Sequence, residues 1–114
     1  MTEQRSEKRK QLHYYLQVFD GVSSRVIGHV ADLTHKGMML VAKEPVGLQE
    51  EFCLRIQFPD PIGDEVELSV KAVCRWCRED VNPDSFVAGF QFQDLSTRKN
   101  HFISCLIDDF GFQD

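Results

Sequence analysis

The sequence predicts a mainly-β domain, a six-stranded antiparallel β-barrel with one C-terminal α-helix laid over an open end. Three observations predict it. Apolar and polar residues alternate from Leu12 to Phe92, the period of two that half-buried strands require. Clusters of Gly, Pro, Asp, Asn and Ser cut that stretch into six segments. After Phe92 the apolar residues change to helical spacing. Six short antiparallel strands remove their exposed edges by curling into a closed barrel.

The first strand is expected around Leu12, Tyr14, Leu16 and Val18, with His13, Tyr15 and Gln17 on its other face. Asp20-Gly21-Val22-Ser23-Ser24 carries turn chemistry, and Val26 to Leu33 returns as the second strand. Gly37 to Val41 is a short, apolar third. Pro45 to Gln49 breaks the pattern. Phe52, Leu54, Ile56 and Phe58 then alternate cleanly with Cys53, Arg55 and Gln57. Pro59 to Asp64 reads as a loop. Val66, Leu68, Val70, Ala72, Cys74 and Trp76 form a long inward face, with Arg75 outward. A second turn-rich loop spans Asp80 to Ser85, and Phe86, Ala88, Phe90 and Phe92 make the last apolar face. Phe102, Ile103, Leu106, Ile107 and Phe110 then define a helix over about 96–110, with Ser96 as N-cap and Gly111 as its stop.

At 114 residues the chain holds one core. The expected division is a flexible basic arm over residues 1–11 and a barrel domain over 12–114. A hydrophobic fraction of 42% against 27% charged is that of an ordinary globular protein. No apolar run approaches the ~18 residues that would span a bilayer, so no membrane insertion is expected. Met1 to Lys10 is charged and lacks the apolar stretch of a secretory signal; a cytoplasmic location is the expectation.

Catalysis has little to stand on. The sequence holds no G-x-S-x-G, no H-E-x-x-H and no phosphate-binding G-x-x-x-x-G-K-S/T. His13, His29, His35 and His101 are scattered without metal-ligand spacing, and no enzyme activity is expected. Cys74-Arg75-Trp76-Cys77 is a C-x-x-C, but no second ligand pair accompanies it. On a strand, positions i and i+3 face opposite ways, which sends Cys74 to the core and Cys77 to the other side. A net charge of −5 opposes binding to a nucleic-acid polymer, which requires a broad basic surface. The basic residues Arg5, Lys8, Arg9 and Lys10 nevertheless cluster at the start. A compact basic arm on an acidic body suits a small, multiply charged anion; a solvated tail is the bland alternative.

That arm is followed, after the second strand, by Asp32-Leu33-Thr34-His35-Lys36-Gly37. The pairing resembles the PilZ family, whose members carry R-x-x-x-R before the first strand and D/N-x-S-x-x-G after the second. The resemblance covers nearly the whole chain: Arg5 to Phe19, Val26 to Leu40, the central strands, and the Arg75-Trp76 and Gly89-Phe90 segments. It implies a six-stranded barrel that binds cyclic di-GMP and acts as a signalling adaptor on a regulated partner protein. On that resemblance the ligand-binding residues are Arg5, Arg9, Lys10, His13, Asp32, Thr34, Gly37 and Arg75.

Their chemistry fits such a ligand. An arginine fork matches guanine O6 and N7 together and also neutralises phosphate. Asp32 is expected to accept from guanine N1–H and N2–H. Thr34 offers its hydroxyl to a phosphate or to the backbone, and Gly37 is expected to turn with positive φ and allow a close approach. Asp32 to Gly37 also suits a plain hairpin connection with local side-chain bonds.

The arginine motif fits in two registers. Arg5-Ser6-Glu7-Lys8-Arg9 is a literal match. Set against the first strand, the motif is Arg9-Lys10-Gln11-Leu12-His13, with His13 in the second arginine's place. A neutral imidazole has one donor where guanidinium has five, and losing one bidentate contact costs on the order of 2–3 kcal/mol. The alternative reading is therefore a PilZ-like protein-interaction module that has lost the nucleotide.

Overall fold

The structure, a computed structural model, describes residues 16–110. Six antiparallel strands run β1 (Gln17–Asp20), β2 (Val26–Leu33), β3 (Gly37–Ala42), β4 (Glu51–Ile62), β5 (Glu65–Glu79) and β6 (Phe86–Gln93), followed by helix α1 (Thr97–Phe110). The strands close into a barrel in the order β1-β2-β3-β6-β5-β4. β1 seals it by pairing with both β2 and β4.

Alternation sends Val18, Val30, Leu40, Leu54, Ile56, Val70 and Ala72 into an apolar interior. Phe102, Ile103, Leu106 and Phe110 of α1 complete it at one end. The helix starts where expected: Ser96 Oγ accepts from Lys99 N at 3.1 Å, occupying one of the amides that a helix N-terminus leaves unpaired. Apolar burial of this kind stabilises by about 25 cal/mol per Å² removed from water, which makes α1 part of the core.

Three expectations need correction. The segment Pro59 to Asp64 is not a loop. β4 continues through both prolines to Ile62, and a two-residue turn at Gly63-Asp64 leads into Glu65. The β4–β5 pairing is irregular between Gln57 and Ile62, so the missing proline N–H groups disturb no regular ladder there. Gly63 has φ +62°, the left-handed geometry that such turns favour. Val66 is exposed rather than inward, because it lies near this hairpin's tip.

The third correction concerns β5. Its pairing with β6 slips between Cys74 and Trp76, so that Cys74 opposes Phe90, Trp76 opposes Gly89 and Cys77 opposes Ala88. Arg75 is the extra residue of a β-bulge. The bulge reverses the side-chain parity that follows it. Trp76 faces out, while Cys77 turns inward and packs against the core. Burial in apolar surroundings pushes the Cys74 thiol above its ordinary pKa, and it donates to Trp76 O at 3.4 Å.

The connection over residues 43–50 has to cross the barrel, because β3 and β4 are not neighbours in the sheet. It spans the rim away from α1. There Val46 N donates to Cys77 Sγ at 3.5 Å and Gln49 N donates to Cys74 O at 2.8 Å.

Candidate ligand-binding groove

The β2–β3 turn is built around one hydroxyl. Thr34 Oγ1 accepts from Lys36 N at 3.1 Å and from Gly37 N at 3.3 Å, and lies 3.4 Å from Gly37 O, to which it donates. Thr34 N also donates to Gly37 O at 2.9 Å. Just before the turn, Asp32 Oδ1 accepts from Leu33 N at 3.0 Å. The short polar residues therefore do form the local bonds that compete with regular ladders. Gly37 does not adopt positive φ, since Gly63 is the one such glycine among the described residues. What Gly37 provides is proximity: a Cβ there would collide with the carbonyl oxygen of Phe90 on β6.

β6 and β5 supply the other wall. The indole of Trp76 lies over Gly89, where any Cβ would strike Nε1 and Cε2. It remains 37% exposed, and the Arg78 guanidinium sits 4.7 Å from its ring centroid. On the bulge, Arg75 Nε donates to Gln91 Oε1 and its Nη1 to Gln49 Oε1, each at 2.7 Å. Two bonds from one guanidinium hold the outer face of the strand in a defined shape.

These residues meet in one open groove of roughly 300 Å³, whose lining includes Asp32, Thr34, Gly37, Arg75, Trp76 and Gln91. Four of the candidate site residues are thus brought together. Arg5, Arg9, Lys10 and His13 lie outside the described residues, as does Gly111. The chain reaches β1 close to the groove: the carbonyl of Leu16 accepts from Val30 N at 2.9 Å, two residues before Asp32. Trp76 is the groove residue that sequence alternation misassigned. A bulge leaves no trace in the alternation itself, and the available signal was Gly89, a residue without a side chain in the middle of an apolar strand.

A barrel with a polar β2–β3 turn opening onto the outer face of β5 and β6 defines a class of binding domains. The sequence profile of the PilZ domain matches residues 3–108. The chain belongs to the PilZ family, whose members are binding and adaptor modules. Among solved structures it is similar to the PilZ domain of YcgR from Escherichia coli, which was determined with c-di-GMP. The TM-score is 0.63 at 13% identity, covering 85% of this chain and 81% of that one. It is also similar to the inhibitor of motility MotI/DgrA of Bacillus subtilis, with a TM-score of 0.65 at 14% identity. That match covers 92% of this chain and 53% of the other. No curated protein sequence matches. Among the described residues, no helix is long and apolar enough to cross a membrane.

Proposed function

We propose that this protein is a cyclic di-GMP receptor that acts as an adaptor on a partner protein. The observation that carries the reading is the convergence of Asp32, Thr34, Gly37, Arg75 and Trp76 on one groove near Leu16, the first of the described residues. Asp32 accepts from a guanine Watson–Crick edge, and Trp76 supplies an apolar face against which a base can lie. Arg75 faces the ligand's phosphates or its Hoogsteen edge. Residues 1–11 wrap the ligand from outside the groove, with Arg9 central because both motif registers share it. Ordering that arm over the ligand changes the surface a partner meets.

The test is a calorimetric titration with cyclic di-GMP, read in parallel by fluorescence. Trp76 is the single tryptophan of the chain, so ligand entering the groove changes its emission directly. Binding at micromolar concentration or tighter is expected, with a loss of about 30-fold or more in Arg9→Ala. No heat and no fluorescence change from folded protein at high concentration would sink the proposal.

A second reading has its own support. Val22, Leu48 and Val81 project from the loops at the rim away from α1, and Val81 is 99% exposed. Exposed apolar tips suit a module that works through protein contacts alone. Under that reading the native chain ignores the nucleotide, and His13→Arg, which completes the arginine motif, creates binding where none existed.

A further inference from the structure

His35 sits at the middle of the β2–β3 turn and reaches across to α1 with both ring nitrogens. Nδ1 lies 3.4 Å from Asn100 Oδ1, and Nε2 lies 3.2 Å from Ser104 Oγ. Asn100 and Ser104 are one helical turn apart, so they share the face that meets the imidazole. A ring protonated on Nδ1 donates to the amide oxygen and accepts from the hydroxyl, satisfying both contacts at once. The next residue is fixed as well, since Lys36 O accepts from Phe92 N at 2.9 Å. The turn is thereby tied to the end of β6 and to the helix that follows it.

We propose that His35 is a positioning residue: it anchors the Thr34-centred turn to α1, so that the shape of the groove and the seating of the helix depend on each other. The ligand half of this proposal rests on the receptor reading above. His35 belongs to the same six-residue segment as Asp32, Thr34 and Gly37, yet it does not line the groove, and its bonds to Asn100 and Ser104 run to the helix. Preorganising the turn lets ligand bind without first ordering it. Coupling is reciprocal, so ligand in the groove must in turn stabilise the seated helix.

The anchor is first tested without ligand. In an Asn100→Ala/Ser104→Ala variant the helix gains two strong helix formers, so loosening of the turn reports the lost ties and not a weakened helix. The amides of Lys36 and Gly37, both bonded to Thr34 Oγ1, should exchange with solvent faster by about 3- to 10-fold. The remote amide of Ser24, bonded to Asp20 O, should not change. Unaltered exchange at Lys36 and Gly37 would overturn the proposal.

The ligand arm compares native protein, His35→Ala, the helix double variant and their combination. His35→Ala should weaken cyclic di-GMP binding about fivefold, the combination should add little more, and His35→Gln should recover part of the loss. Ligand should slow amide exchange along α1 in the native protein and not in His35→Ala. Independent, additive losses would overturn the coupling. Native protein that ignores the nucleotide while its turn amides still respond to the helix substitutions would overturn the receptor reading and leave the anchor standing.

Discussion

Single residues in this barrel are set by a few strong local choices. Asp20 illustrates one: its Oδ1 accepts from Val22 N at 2.9 Å, and that backbone bond is the chief cause holding its carboxyl below the ordinary value of 3.8. Ser24, with φ +64°, completes the same turn. A carboxylate with a lowered folded pKa contributes stability that is present above its unfolded pKa and lost as pH falls through the folded one. Asp20→Asn should therefore remove this contribution at pH 7 and flatten the acid limb of the stability curve below about pH 4, the two proteins converging in acid. Denaturant melts at a series of pH values check this, and a parallel shift at every pH would contradict it. Gly37 was legible as a glycine that something approaches closely. That β6 lies against it needed the sheet order, which no local pattern contains.

At the level of elements, the cap of α1 is the simplest case to test. Ser96→Ala removes the bond to Lys99 N and should cost about 1 kcal/mol, measured by chemical denaturation; Ser96→Asp should restore most of it. The strands show what alternation can and cannot convey. β2 was predicted over the bounds it adopts, Val26–Leu33, and β6 within a residue. The alternation of Leu54, Ile56 and Phe58 named their inward face correctly. Pro59 and Pro61 misled because proline marks a break in most contexts, yet here they fall where pairing with β5 has already become irregular. Trp76 and Cys77 misled for the opposite reason: the pattern looked regular across a bulge. Of the candidate site, the β2–β3 half was written locally in the Asp32 to Gly37 spacing. Of the β5 half, Arg75 was already a candidate, whereas Trp76 depended on a slip in register between two strands, for which Gly89 was the one local sign.

For the whole molecule, α1 and the barrel share one core. Ile103 is fully buried among residues of several strands, so Ile103→Ala should cost roughly 2–5 kcal/mol. Single domains of this size unfold as one unit. Tryptophan fluorescence reports the barrel wall through Trp76, and far-UV circular dichroism includes the helix; the two transitions should coincide in native protein and in the variant. Separated midpoints would show that the helix unfolds independently of the strands. The molecule has two differently equipped ends. One carries α1 and the polar β2–β3 turn, and the other carries the crossing segment 43–50 and the apolar tips Val22, Leu48 and Val81. On the receptor reading proposed above, ligand and partner would have separate places.

The bulge at Arg75 also governs which changes in chain length this fold tolerates. It works as a reading-frame shift within a strand. Residues before it keep one phase, and residues after it keep the other. Deleting Arg75 would remove the extra residue and leave Cys74, Trp76 and Cys77 in plain alternation, with the indole still outward and the Cys77 thiol still inward. The groove would keep its aromatic wall and lose the guanidinium that bonds Gln91 and Gln49. In this strand the number of residues carries information that substitution alone cannot rewrite.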